Sequence, residues 1–350
     1  MNNCRTKGNA AIAQPSISRL HGGQSKTCQL AFHSSGRTSH HEVSQKQLAL
    51  YKVVNLLHDN VAIWTMVRNE NFFLRLWVEY YSKFVPRRNL FILVDGADSE
   101  VPDNLEGCTL IVLPQDDPSP GWDQRRWEFL SSFASSLTLR YDVVIGGDVD
   151  EVITVDPEVG QDPIQFILED TTADVIAPFA IDLIHRIDLE DDFDPSRGVL
   201  EQRSFGRINT LYSKPCIIRK PVTWSLGQHF SSNPGRELSD KLFLFHLKYL
   251  DHGMLIERQR ERLQQISNAN SQMVNGVAGR GWYRTLDQIS NELKVFVDAG
   301  PPRDVDMSFR HIHKKLRETW AFDKDEGLWR HATIRRSWTF PIPDRFKTLF

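Results

Sequence analysis

From Val61 onward the chain alternates between short apolar, β-branched runs and amphipathic stretches. Val61-Ala-Ile-Trp-Thr-Met-Val67 has the composition of a strand buried on both faces, and it leads into a helix from Asn71 to about Phe84. Within that helix Phe73, Trp77, Tyr80 and Phe84 fall on one face. Arg75 and Glu79 pair on the other, and Pro86 closes the segment. Further strands are predicted over 89–94 and 109–113, then a helix over 122–136 and a strand over 141–147. The order β-α-β-β-α-β with short connections predicts an α/β fold built on a mostly parallel, nucleotide-binding sheet flanked by helices.

Downstream the pattern loosens. Asp156-Pro157 and Asp162-Pro163 mark turns, and a short helix is predicted over 163–170, followed by a strand over 173–181. Residues 182–215 read as an irregular acidic excursion, and short strands over 216–219 and 242–246 flank Gly227-Gln228-His229. A helix is predicted from 251 to about 273, with Leu255, Leu263 and Ile266 on one face and Arg258, Arg260 and Arg262 clustered beside it. The basic, Trp-rich stretch beyond it yields no assigned element. Before His41 there is no Asp or Glu, against Arg5, Lys7, Arg19, Lys26 and Arg37; a transit peptide has this composition, but a disordered tail or a misplaced start is the preferred reading. The expected organisation is a tail over 1–47, an α/β domain over 48–250 and a mainly helical region over 251–350 that covers an acceptor cleft.

Length and charge narrow the class. The chain has 350 residues and a net charge of −3, which gives it ample core and no call for a nucleic-acid partner. Cys4, Cys28, Cys108 and Cys216 lack paired spacing, which argues against a disulfide scaffold or structural zinc and suits a reducing compartment. No apolar run is long enough to span a bilayer, so a soluble, cytoplasmic chain is expected. The basic C-terminal region would allow peripheral contact with an anionic membrane surface.

The sharpest chemical signal is Asp148-Val149-Asp150-Glu151, which closes the apolar run 141–147. Asp148 and Asp150, two apart in an extended backbone, would face the same way at the carboxyl end of a parallel strand, where open α/β sheets bind ligands. Like charges so placed call for a cation, and hard oxygen ligands favour Mg²⁺ or Mn²⁺, which hold nucleotide diphosphates. A polar loop with a helix N-cap is the plain alternative.

Taken together, Met66-Val-Arg-Asn-Glu70, Val94-Asp-Gly-Ala-Asp-Ser99, Gly147-Asp-Val-Asp-Glu151, Ser213-Lys-Pro-Cys-Ile-Ile-Arg219, Gly227-Gln-His229 and Leu244-Phe-His246 resemble a GT-A glycosyltransferase. The chain is similar to family-2-like enzymes and to glycosyltransferase family 92, from roughly Val61 to Tyr249. The resemblance implies a nucleotide-sugar donor, most simply UDP-linked, and a glycan or glycolipid acceptor. It implies that Arg68, Asn69 and Glu70 lie near base and diphosphate, and that Asp95 or Asp98 holds base or ribose; the chain offers Asp95-Gly96-Ala97-Asp98 where the common pattern is Asp-Asp-Gly-Ser. Asp148 would contact ribose or sugar and Asp150 would ligate Mn²⁺ or Mg²⁺, with His229 or His246 completing the metal set. Lys214 and Arg219 would neutralise diphosphate.

An inverting enzyme also needs a base for the acceptor hydroxyl. Asp182 and Glu237 are the leading candidates, with His185 and Asp240 behind them. Asn69 as a cap, Asp95 as a turn residue, His246 as a core side chain and Arg125 or Arg126 on a solvated face are the plain readings. Two other functions fit parts of the pattern. One is a haloacid-dehalogenase-like phosphatase with Asp148 as nucleophile, opposed by the absence of lysine from Glu151 to Asp191. The other is an inactive carbohydrate-binding relative, which would be expected to lose Asp148 or Asp150.

Overall fold

The computed structural model describes residues 58–116, 119–268 and 280–350, all of them part of one unit of the chain that spans Gln45–Phe350. The expected tail over 1–47 and the end of the helix predicted to 273 lie outside the described residues. No helix among the described residues is long and apolar enough to cross a membrane.

The first half is wound as the periodicity predicts. Strands β1 (Val61–Val67), β2 (Leu90–Asp95), β3 (Thr109–Leu113) and β4 (Val143–Gly146) form a parallel sheet in the order β3-β2-β1-β4. Helix α1 (Asn71–Tyr81) covers one face and α2 (Trp122–Leu137) the other. Residues of β1 therefore alternate between two cores. Val61, Ile63 and Val67 pack with Phe73, Trp77 and Val78 of α1. Ala62 and Trp64 pack with Trp127, Leu130 and Ala134 of α2. Burial on both faces is why β1, β2 and β4 read as continuous apolar runs. Gly146, paired with Trp64 across β1 and β4, is needed there: a Cβ would lie 1.9 Å from the indole. Helix α1 ends at Tyr81, short of Phe84, and the chain turns through 82–84 before Pro86.

The second half is antiparallel in the main. The stretch after Asp150 enters strand β5 (Glu151–Val155), where a loop or helix cap was the plain expectation. Helix α3 (Pro163–Asp170) is capped by the Asp162 carboxylate. Strand β6 (Val175–Ile184), buried at every position, runs three residues beyond its expected end and into the supposed irregular excursion. That excursion also holds the short helix α4 (Val199–Gln202) and strand β7 (Phe205–Ile208). Strand β8 (Ile217–Ile218) joins β4 to β6 by antiparallel pairs. The long β9 (Arg236–Tyr249) pairs parallel with β6 and antiparallel with β5.

Residues 251–350 contain helices α5 (His252–Asn268), α6 (Leu286–Asp298) and α7 (Arg310–Glu318). They also contain a hairpin of β10 (Ala321–Asp323) with β11 (Leu328–Arg330), and β12 (Phe340–Pro341), which pairs with β7. Met307, Phe309, Ile312, Phe340 and Phe346 join the same core as α1. The C-terminal stretch therefore completes the core of the α/β body as well as adding helices to it.

Candidate functional site

At the carboxyl ends of β1, β2 and β4 lies a cleft of about 400 Å³. Arg68 and Glu70 follow β1, Asp95 ends β2, Arg126 and Trp122 begin α2, and Asp148 and Asp150 follow β4. Its other wall comes from the second half: Tyr212, Lys214, His229, His246, Lys248, Arg258, Arg262 and Trp282. Trp122 and Trp282 meet edge to face at 5.4 Å between ring centroids.

Asp148 and Asp150 occupy a tight turn between β4 and β5, closed by the Glu151 N–H donating to the Asp148 carbonyl at 3.1 Å. The expected extended backbone is therefore replaced by a turn. Val149 is buried in the core behind it while both aspartates reach the cleft. Each carries its own cation. Lys214 Nζ lies 3.0 Å from Asp148 Oδ2 and 2.6 Å from Glu151 Oε1, and its side chain is fully buried. Arg258 donates from one terminal nitrogen to Asp150 Oδ2 at 2.8 Å, and from Nε and the other to Glu70 Oε1 at 2.9 and 2.8 Å. Burial raises the carboxyl pKa of Asp150, but Arg258 and then His246 outweigh it and hold the group well below the usual range. Burial pushes Glu151 up to about 8, against the pull of Lys214 and with Asp148 and Asp150 adding to the rise.

Two imidazoles face the cleft with one nitrogen already committed. His229 Nδ1 is 2.9 Å from the Leu211 carbonyl, so Nδ1 donates and Nε2 carries the free lone pair. Burial and then Lys214 push its pKa down to about 3. Gly227, at φ +69°, lets this ring lie close, since a Cβ there would meet His229 Nε2 at 2.7 Å. His246 Nδ1 donates to Asp182 Oδ1 at 2.7 Å, and its ring stacks on Tyr212 at 3.8 Å. That leaves Nε2 for the cleft.

Several expected roles do not survive this geometry. Asp182 is fully buried, with Oδ1 on His246 and Oδ2 accepting from Arg207 Nε at 2.8 Å and Asn209 at 2.9 Å. It orients an imidazole and cannot itself reach an acceptor hydroxyl. Glu237 sits nine residues before His246 on β9, about 30 Å along an extended strand, and does not line the cleft. Arg219 caps α3, donating to the Ile167 and Thr171 carbonyls at 2.7 and 3.0 Å. Asn69 adopts φ 55° and ties two loops together, with its backbone N–H on Ser99 Oγ and its side chain accepting from the Glu100 N–H. Asp98 is exposed and holds Arg68 from outside the cleft, at 2.9 and 3.2 Å. Asp95 does line the cleft, where burial raises its carboxyl. His185 contacts the Glu190 carbonyl at 3.3 Å and Asp251 at 3.6 Å, away from the cleft.

The proposed metal set Asp148, Asp150, His229 and His246 is of the right chemical type, but it is not assembled. Among the described residues no three His, Cys, Asp or Glu are grouped to hold a metal ion. One oxygen of each aspartate is engaged, Asp148 Oδ2 by Lys214 and Asp150 Oδ2 by Arg258.

Arg258 and Arg262 were visible in the sequence as a basic cluster without a role. Their i,i+4 spacing sets both on the cleft face of α5, while Arg260 turns outward to Glu257. Of the neighbours Arg125 and Arg126, only Arg126 lines the cleft. No sequence signal marks Tyr212, Lys248 or Trp282.

No protein-family model matches the chain, and no curated protein sequence matches it. Among solved structures, it is similar to the crystal structure of mannose-1-phosphate geranyltransferase from Thermus thermophilus. The two share 12% identity over 82% of this chain and 76% of that one, with a TM-score of 0.27, a likeness too low to carry an argument.

Proposed function

We propose that the chain is a transferase that moves a sugar from a nucleotide-linked donor, UDP-linked in the simplest case, to a hydroxyl of a glycan or glycolipid acceptor. The observation that carries this reading is the cleft itself. Carboxylates and cations converge at the carboxyl ends of parallel strands, in a volume of the size small-molecule sites use. In this reading Asp95 receives the ribose or base, and Arg126 with Arg262 meets the diphosphate. Asp148, held by Lys214, faces the sugar.

The chemistry then needs little else. As the anomeric carbon departs from the diphosphate, negative charge grows on the leaving oxygens, and fixed cations stabilise it best in a water-poor site. His246 is the group oriented to take the acceptor proton on Nε2, because Nδ1 is committed to Asp182. A base on the acceptor side with no covalent intermediate gives inversion.

The test is calorimetric titration of UDP, GDP and ADP into the full chain, followed by assays of UDP-sugars for hydrolysis and transfer. UDP binding with turnover of at least one UDP-sugar supports the reading. Binding without turnover of any donor would favour a carbohydrate-binding relative. Failure of all three nucleotides, with phosphate-ester hydrolysis abolished in Asp148→Asn, would favour the phosphatase.

A further inference from the structure

We propose that this cleft holds the diphosphate of its nucleotide on built-in cations, Arg262 and Arg126 foremost, and needs no divalent ion to do so. The inference rests on the nucleotide-site reading and adds what neutralises the ligand.

The two aspartates expected to recruit a metal are already neutralised from within, by cations with nowhere else to go. Lys214 has no solvent to retreat to, and it bridges Asp148 and Glu151 beneath the Tyr212 ring, 5.3 Å from the ring centroid. A metal on Asp148 would set a second positive charge beside this buried ammonium and leave Glu151 as its remaining carboxylate partner. Arg258 is pinned from three directions, by Asp150, by Glu70 and by the face of Phe73, 4.5 Å away. A metal on Asp150 would sit beside this fixed positive charge, and on Oδ2 it would have to displace it.

The cations left over point to an anion. Arg262 lies one helical turn beyond Arg258 and forms no salt bridge among the described residues; its guanidinium rests 5.6 Å from the Trp282 ring centroid. Burial and the neighbouring Arg258 disfavour its charge and together outweigh the pull of Asp150, Glu70 and Asp148, with none of which it forms a salt bridge among the described residues. Arg126 faces it from α2, 3.7 Å from Asp123. Adding a divalent ion would deepen this repulsion, whereas adding a diphosphate relieves it.

The experiment is titration of UDP into the full-length chain, once in excess EDTA and once in millimolar Mn²⁺, repeated with Arg262→Gln. Two results are expected together. UDP affinity differs by less than about twofold between the two solutions, and Arg262→Gln weakens it at least about tenfold while the thermal midpoint is unchanged. Binding that requires Mn²⁺, or tightens about tenfold with it, overturns the inference and leaves the nucleotide reading standing. An unchanged affinity in a folded Arg262→Gln protein overturns the assignment of the cation. Should Arg262→Gln unfold, the comparison of EDTA with Mn²⁺ on the unaltered chain still decides. If UDP does not bind in either solution, GDP and ADP are titrated the same way; absence of binding by all three removes the nucleotide reading, and the inference falls with it.

Discussion

The two sides of the cleft are built by different means. On the β1–β4 side, neighbouring strands pair in parallel, and the acidic candidates sit at or just beyond the carboxyl end of their own strand, Asp95 at the end of β2 and Asp148 and Asp150 after β4. On the other side, β5, β6 and β9 are stitched together across long separations. The side chains that matter there reach back over 66 residues from Lys214 to Asp148, 108 from Arg258 to Asp150, and 188 from Arg258 to Glu70. The first side supplies the carboxylates and the second supplies the cations that hold them. Neither side alone makes a site: acidic strand ends without Lys214 and Arg258 would repel a diphosphate.

If the second side depends on long-range polar contacts, breaking one should cost far more than a surface change. The strongest case is Arg207, whose side chain is 5% exposed and anchors the fully buried Asp182. Arg207→Met should lower unfolding free energy by about 3–5 kcal/mol, because it strands a buried carboxylate. Urea unfolding measures this, and a loss below about 1 kcal/mol would mean that Asp182 finds other partners. Arg207→Met combined with Asp182→Leu should recover much of the loss, as replacing both partners of a buried pair often does.

Next in size is the seam itself. If the cleft binds a nucleotide as proposed, Lys214→Met would leave Asp148 charged and facing it, and UDP affinity should fall about thirtyfold, roughly 2 kcal/mol. Calorimetry on Lys214→Met and on Lys214→Met with Asp148→Asn separates two mechanisms. Recovery in the double variant means that Lys214 acts by neutralising Asp148; no recovery means that it meets the nucleotide directly.

The same division explains what the sequence could disclose. Parallel strands covered on both faces leave continuous apolar runs, and α1 leaves a helical stripe, so β1 to β4 and the ends that carry Asp95, Asp148 and Asp150 are readable from local pattern. Which cation answers which carboxylate depends on pairings set by the folded sheet, and no spacing records them. Asp182 shows the limit well. It lies inside β6, which runs on to Ile184, and its burial against Arg207 and Asn209 turns it from base to support for His246. Residues 182–215 looked irregular because their acids and arginines pair internally, as Arg186 does with Asp188 at 2.7 and 2.8 Å.

A smaller effect tests how the C-terminal stretch joins the body. Arg345 donates to both oxygens of Asp156 at 2.8 and 3.0 Å, just beyond β5. Burial raises that carboxyl, but Arg345 and the Glu158 N–H outweigh it and bring it below the ordinary range. A depressed carboxylate contributes stability above its unfolded pKa of about 3.9, and the contribution is lost as pH falls through the folded value. Arg345→Gln should therefore cost about 1–2 kcal/mol at pH 7, discounted for the partial exposure of Arg345. The gap to the unaltered protein should close below about pH 4 in a series of thermal midpoints. A gap that stays constant down to pH 3 would show that Arg345 acts by packing on Phe346, whose ring centroid lies 4.9 Å away.

The smallest expected effect lies on the readable side, where the pattern misleads in one place. Strand β3 is as apolar as β1, yet it is the edge of the sheet, and Leu110 and Val112 are 41% and 55% exposed. An apolar run signals two covered faces only for an interior strand; at an edge it leaves an aggregation-prone surface. Val112→Lys should thus change unfolding free energy by no more than about 0.5 kcal/mol and reduce self-association in concentrated solution. The same change at Val144, buried in β4 in the core that holds Trp64 and Trp127, should prevent folding. Equal damage at the two positions would mean that β3 is covered by something beyond the described residues. The contrast between a sheet read from local pattern and a site read only from its pairings would then have to be redrawn at that edge.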